Sequence, residues 1–428
     1  MTADAAPPEG TPALTGYQKF VIAVIAFLQF TIILDFMVLA PLGAIIMPAL
    51  RVSPAQFGLL VSTYAFSAGA SGLLAAGFTD RFDRKRLLLF FYSGFVLGTL
   101  LCALARSYEF LLLARMVTGI FGGVIGSIVL AITTDLFDYR QRGRVMGVVQ
   151  TAFAASNVLG IPIALDLSAR WSWNAPFVLI VAVSSLVGVL IAWKLRPVTA
   201  HLSRTVDRSA LHHFVHTVRT PRYLQGFATT GLLTIGGFML MPFSSAFTVN
   251  NLGVAPRDLR LLYTITGVCS LIAGPLIGRA ADSFGKFRVF AFGCALTILM
   301  VTVYTHMSVA PLGIIILVSV LMFVGVSSRM ITASALMSAI PAPGDRGAYM
   351  AVSSSLQQFA GGVAAAIGGL IVVQASDGRL LHFDVIGYVL TVTSLVSLTL
   401  MYRIQRSVEP AALSAAPATT GAAAAAAE

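Results

Sequence analysis

Charge is scarce in this sequence. It holds 17 acidic and 28 basic residues among 428, so 11% are charged, where water-soluble domains carry about 25%. That deficit excludes a soluble core of this length, whereas a bilayer accepts apolar side chains on its outer surface. Cysteine is also rare. Cys102, Cys269 and Cys294 all lie inside apolar runs, which excludes a disulfide framework and a cysteine-built metal cluster. No P-loop, dinucleotide-binding or hydrolase motif is present, and no catalytic cluster stands out, so the chain does not read as an enzyme. Residues 1–16 lack a basic n-region and a cleavage site, and no signal peptide is expected.

What the chain has is long apolar runs. They fall near 19–47, 56–78, 87–105, 110–134, 145–166 and 174–194, then near 223–248, 259–281, 288–306, 310–338, 347–373 and 384–402. Each meets the roughly 20 residues needed to cross the hydrocarbon core. The expected fold is an all-α membrane protein of twelve transmembrane helices. The expected organisation is an N-terminal tail (1–16), a six-helix bundle (17–195), a linker (196–221), a second six-helix bundle (222–404) and a disordered tail (405–428).

The net charge of +11 would suggest nucleic acid in a soluble protein. Here the basic residues sit between the apolar runs and read as orientation signals. One alternate set of loops, with the linker and the flanks, holds 20 of them, including Arg81, Arg84, Lys85, Arg86, Lys194, Lys286, Arg288 and Arg346. The other set holds six: Arg51, Arg106, Arg170, Arg257, Arg260 and Arg379. This bias places both termini and the linker in the cytoplasm of a bacterial cell, with the chain in the inner membrane. His212, His213 and His216 of the linker have no Cys or carboxylate cluster beside them and read as solvated residues, not a metal site.

The most informative pattern is an internal repeat. Ala76-Gly77-Phe78-Thr79-Asp80-Arg81-Phe82-Asp83-Arg84-Lys85-Arg86 follows the second run. Gly278-Arg279-Ala280-Ala281-Asp282-Ser283-Phe284-Gly285-Lys286-Phe287-Arg288 follows the eighth, 202 residues on from Asp80 to Asp282. Arg142-Gly143 and Arg346-Gly347 repeat at a similar offset. Six helices per half make the two copies parallel, which is the arrangement of the major facilitator fold.

Segment 76–86 resembles the signature loop of the major facilitator superfamily, G-x-L-A-D-R-x-G-R-K. Asp80, Arg81, Arg84 and Lys85 match it, while Ala76 and Asp83 replace the usual glycines. The second copy keeps Gly278, Asp282, Gly285 and Lys286. Arg115, in Leu113-Ala114-Arg115-Met116-Val117-Thr118-Gly119, matches the fourth-helix arginine motif. Trp173-Asn174-Ala175-Pro176-Phe177 resembles the opening of the sixth helix in drug/proton antiporters and arabinose-efflux-like permeases. The resemblance spans residues 17–404. It implies that Asp80 meets the eleventh helix and that Arg81 or Arg84 reaches Asp135, latching the halves on the cytoplasmic side. Gly160 and Pro162 match the fifth-helix antiporter motif in part, because Ala164 and Leu165 stand where it has glycines.

Three charges lie deep within the apolar runs, away from their ends: Asp35, Arg115 and Arg329. An ionised carboxylate at Asp35 costs several kcal/mol by insertion scales. Counting about 1.5 Å per residue puts Asp35 and Arg115 at one depth, where they read as a proton-coupling pair or a permanent structural ion pair. Arg329 has no acid within its own helix, and three readings stay open for it: binding an anionic substrate group, binding helix-end carbonyls, or snorkelling to the interface. Asp166 reads as a solvated residue at the end of the fifth run. Gly119, Gly122, Gly123, Gly126, Gly361 and Gly362 read as close helix packing. Tyr64, Phe30, Phe238 and Phe359 read first as core or lipid-facing residues, with cavity lining as the alternative.

The expected function is secondary active transport by alternating access, as proton-coupled efflux of a small drug, sugar or amphipathic metabolite. Uptake by symport or facilitated diffusion is the first alternative, and a non-transporting membrane sensor the second. The expected partners are a small-molecule substrate and the lipid bilayer. No nucleic acid and no cofactor beyond the proton gradient are expected, and the chain is expected to be monomeric.

Overall fold

The computed structural model of the chain describes residues 14–75, 81–199, 217–342 and 345–414. Helix α1 (Gly16–Val38) starts at a capping box: the Thr15 hydroxyl accepts from the Gln18 amide, and the Gln18 side chain accepts from the Thr15 amide. Such reciprocal bonds satisfy donors that a helix start leaves open. The first apolar run is not one continuous helix. After α1, a turn through Pro41 leads into α2 (Gly43–Leu50), which ends on Arg51 in the left-handed region at φ 52°. Helices α3 (Pro54–Ala75), α4 (Arg84–Leu104) and α5 (Tyr108–Leu136) follow.

The fifth span is composite: α6 (Tyr139–Ala155), a π turn (Ser156–Gly160) and α7 (Ile161–Arg170). Pro162 offers no N–H to the carbonyl four residues back, and the ladder widens by one residue just ahead of it. Helix α8 (Ala175–Lys194) completes the first six spans. The second six are α9 (Pro221–Asn250), α10 (Leu259–Phe284), α11 (Lys286–His306), α12 (Leu312–Met337), α13 (Arg346–Ile371) and α14 (Phe383–Ser414). Helix α14 thus continues past the boundary expected at residue 404. Among the described residues, eleven spans are long and apolar enough to cross a membrane. The twelfth, α13, is more polar because it carries Ser353, Ser354, Ser355, Gln357 and Gln358.

Helix pairing reproduces the repeat seen in the sequence. In the first bundle α5 packs on α3 and α4, and α8 packs on α4. In the second, α12 packs on α10 and α11, and α14 packs on α11. The bundles meet along α3 with α13 and along α7 and its π turn with α10. Lipid tails are as apolar as the helices, so close packing and not water exclusion holds such seams. At Gly58 an added Cβ would run into the Ala365 carbonyl, and at Gly369 into the Pro54 carbonyl. The Ser62 hydroxyl crosses the seam to donate to the Gly362 carbonyl at 2.7 Å.

One face of the molecule, the basic face, carries Arg84, Lys85, Lys194, Arg196, Lys286, Arg288 and Arg403. The opposite face carries Arg51, Arg106, Arg170, Arg257, Arg260 and Arg379. A short antiparallel hairpin lies on the opposite face, Val373–Gln374 with Leu380–Leu381, and Asn251 at the end of α9 pins it through both the Leu380 amide and carbonyl at 2.9 Å. Toward that face a single apolar core joins both bundles, with Leu34, Phe57, Leu165, Phe243 and Ala365 among its members. Toward the basic face the core divides between the bundles: Ile25, Leu88, Ile128 and Ile191 belong to one, Phe227, Phe290, Leu336 and Ile404 to the other, which also holds a small cluster of Ile277, Ala281 and Val289. The bundles are therefore welded at the opposite face and part toward the basic face.

Candidate functional site

Helix α1 delivers Asp35 and α5 delivers Arg115 to one point beneath the shared core. Their side chains are 0% and 1% exposed, and Arg115 Nη1 stands 2.8 Å from Asp35 Oδ2. The same Nη1 donates to the Asp35 backbone carbonyl at 3.3 Å. Thr99 of α4 places its hydroxyl 3.3 Å from Asp35 Oδ1 and 3.0 Å from the Phe95 carbonyl. Its one proton serves one acceptor at a time. Arg115 also lies over the Tyr64 ring, 4.4 Å from Cζ to centroid, a cation–π contact that helps hold a guanidinium away from water. Its Nε has no hydrogen-bond partner among the described residues. Together the pair adds no net charge, yet removing either member would strand the other, at a cost of about 3–5 kcal/mol.

Small residues make this geometry possible. Gly119 of α5 faces the backbone of Tyr64, and Gly123 faces Ala68, so α3 and α5 approach closely and the Tyr64 ring reaches Arg115. Gly160 packs against Leu34, beside Asp35, which explains a small residue at that position of the antiporter-like segment. Gly361 and Gly362 meet Phe238 and Phe66, as close packing requires, whereas a Cβ at Gly126 would meet nothing within 4 Å. Gly126 is thus a correction to the packing reading. Phe36 contacts both Tyr64, at 5.2 Å between centroids, and Phe238, at 5.8 Å. Phe66 meets Phe359 at 6.3 Å. Phe36, Tyr64 and Phe238 therefore form an aromatic layer, drawn from both bundles, next to the ion pair, and Phe66 with Phe359 makes a separate aromatic contact between the bundles.

At the basic face, Arg84 and not Arg81 reaches Asp135, with Nε 3.3 Å from Oδ2 and both side chains largely buried. Arg81 is exposed. Lys85 donates to the Ala192 carbonyl of α8 at 2.9 Å. Asp80 lies outside the described residues, as do His212, His213 and His216. Asp83, where the family pattern has glycine, caps α4 by accepting from the Lys85 amide at 3.0 Å, and it also accepts from the Val198 amide at 2.9 Å. This tie between the loop and the start of the linker had no signal in the sequence. In the second copy, Gly285 supplies a turn at φ 93° and Gly278 faces open space. Asp282 and Lys286 are exposed, and no hydrogen bond or ion pair joins them to the described residues of the first copy.

Arg329 corrects the snorkelling reading. It is 4% exposed, its Nε is enclosed without a partner among the described residues, and Gly293 of α11 packs against its backbone. Asp166 is partly exposed, at 30%, as the solvated reading expects, and it is also ion-paired. It pairs with Arg170 at 2.8 Å and, across the bundle boundary, with Arg260. The Arg170 pairing was visible as an i,i+4 spacing; the Arg260 pairing, 94 residues away, was not.

Two parallel six-helix bundles, sealed at one face and carrying a buried charge pair, define the architecture of a membrane transporter. The family model of the Major Facilitator Superfamily matches residues 25–244 and 226–426, and the chain belongs to that superfamily. A chloramphenicol efflux pump of Mycobacterium tuberculosis is 25% identical over 302 residues, covering 68% of this chain and 71% of that protein. A multidrug resistance protein of Schizosaccharomyces pombe is 31% identical over 137 residues, 32% of this chain and 26% of that one. Among solved structures, a bacterial homolog of the human lysosomal transporter Spinster, in an inward-facing and unoccupied conformation, superposes with a TM-score of 0.72 at 15% identity, covering 93% of this chain and 99% of that one. The chain is a transporter and not an enzyme.

Proposed function

We propose that this transporter exports a small drug, sugar or amphipathic metabolite and is driven by the proton gradient. The observation that carries the reading is the Asp35–Arg115 pair, a complete charge pair held out of water inside one bundle. Intramembrane ionisable residues of this kind are expensive to keep and mark ion and substrate pathways. A proton on Asp35 cancels the attraction within the pair and leaves the Arg115 charge to be met by another group. That exchange gives the first bundle two charge arrangements, and the proton gradient would bias which one persists. The aromatic layer of Phe36, Tyr64 and Phe238 joins the pair to the second bundle, so a change at Arg115 is felt where the bundles meet. Arg329 is a second charge to which a substrate can respond. The loop carrying Asp80, Arg81, Arg84 and Lys85, braced by Asp135, would form the gate on the basic face, with Gly278, Asp282, Gly285 and Lys286 as its counterpart. The basic face would be cytoplasmic.

The efflux direction rests on the efflux function that the relatives' names carry. A proton-independent uptake carrier is the main rival. Reconstitution in proteoliposomes with an imposed pH gradient separates them: the proposal expects uphill efflux that follows the gradient, and a transport rate indifferent to it would overturn coupling.

A further inference from the structure

Helices α10 and α11 are joined by a single residue, Gly285, at φ 93°. A side chain would be strained in that conformation, so glycine sets the pivot. From it the two helices diverge and α12 forms the floor between them. A groove of about 370 Å³ results, with Leu276 and Ala280 on one wall, Phe292 on the other and Val324 below. Phe284 and Arg288 stand at its basic-face end. Leu276, Phe284 and Phe292 are more than half exposed. The one hydroxyl in the floor, that of Ser328, is already used: it donates to the Val324 carbonyl at 2.8 Å. Helix α11 packs on α10, α12 and α14 of its own bundle, which puts this groove on the outer side of the second bundle.

Arg288 is the one charged residue that lines the groove. Arg288 is exposed and makes no hydrogen bond or ion pair with any described residue. Arg279 and Lys286 lie within nine residues of it, and Asp282 is the single acid in that stretch. An apolar slot that opens onto an arginine without a partner among the described residues fits one chemistry: an acyl chain attached to an anionic headgroup. We propose that this groove is a binding site for an anionic phospholipid, with one acyl chain between α10 and α11 and the phosphate at Arg288. A water-soluble ligand finds no polar partner on these walls, and a neutral or zwitterionic lipid leaves the excess positive charge unmet.

The test uses the full chain in nanodiscs, with Trp171, Trp173 and Trp193 replaced by phenylalanine and Phe292→Trp as the only indole. Quenching of that indole is measured with brominated-chain phosphatidylglycerol and, separately, brominated-chain phosphatidylcholine. The proposal expects half-quenching by phosphatidylglycerol at about a fivefold lower mole fraction, the ratio that one arginine near an anionic surface supports. Arg288→Gln should remove the preference. Equal quenching by the two lipids, or a preference that survives Arg288→Gln, would overturn the proposal. Should Phe292→Trp disturb folding, native mass spectrometry of the chain with its own phenylalanine decides the same question. Phosphatidylglycerol should be retained over phosphatidylcholine by the wild type and not by Arg288→Gln, and equal retention in the two proteins would sink the idea.

Discussion

Asp166 of α7 and Arg260 of α10 are hydrogen-bonded across the boundary between the two bundles, on the face where a shared core welds them together. Both side chains are partly exposed, at 30% and 55%, so the bond contributes little to folding, about 0.2–1 kcal/mol. Its interest lies in position, because it bridges α7 and α10 where the two bundles meet.

The first prediction concerns that bond. Asp166→Asn should shift the balance toward states open on the opposite face by up to about fivefold, the ratio that 1 kcal/mol allows. Distances between spin labels on α7 and α10 would report the shift. Cross-linking of Asp166→Cys to Arg260→Cys should arrest transport reversibly. Full transport by the cross-linked protein would show that the face never opens there.

The second concerns the charge pair. Asp35→Asn should abolish gradient-driven transport, since a neutral amide carries no proton, while substrate binding and downhill exchange persist. Uphill efflux that survives in proteoliposomes would place the proton elsewhere. A protein that merely unfolds earlier, with coupling intact, would mark the pair as structural. Asp35→Glu should retain partial activity with an altered pH profile.

Arg329 supplies a third, with opposite signs for stability and activity. A buried cation with no acid paired to it among the described residues is a burden on the fold, and an apolar replacement of similar length relieves it. Arg329→Met should raise thermal stability by about 1 kcal/mol and reduce transport. Loss of stability together with unchanged transport would show that Arg329 is a packing residue.

A fourth prediction addresses orientation. A cysteine placed in the 196–199 segment should resist membrane-impermeant maleimide in intact cells and react after permeabilisation. Labelling in intact cells would invert the topology.

The seam between the bundles gives the fifth. Gly369→Val forces a side chain against the Pro54 carbonyl, and overpacking of this kind costs about 1–3 kcal/mol. Thermal unfolding of the solubilised protein should drop accordingly, and an unchanged midpoint would mean that α3 and α13 can move apart freely.

Three features were legible in the amino-acid order alone: the twelve spans, their division into two parallel halves, and the depth that Asp35 and Arg115 share. These follow from local properties, namely apolar length, repeat offset and a fixed rise per residue. The signature loop also singled out Arg84 as one of two partners for Asp135. What crosses from one element to another was not legible. That α1 breaks after Val38, that Thr99 and Tyr64 close around the ion pair, and that Asp83 ties down Val198 depend on how helices far apart in the chain come to lie side by side. The same holds for Arg329, whose surroundings overturned the snorkelling reading, and for the cross-bundle partner of Asp166. Arg329 is enclosed because Gly293 lets α11 approach its backbone, and Asp166 is paired because the bundles meet at α7 and α10. Hydropathy reports whether a residue lies in a span, and only the packed structure decides which neighbours meet its charge.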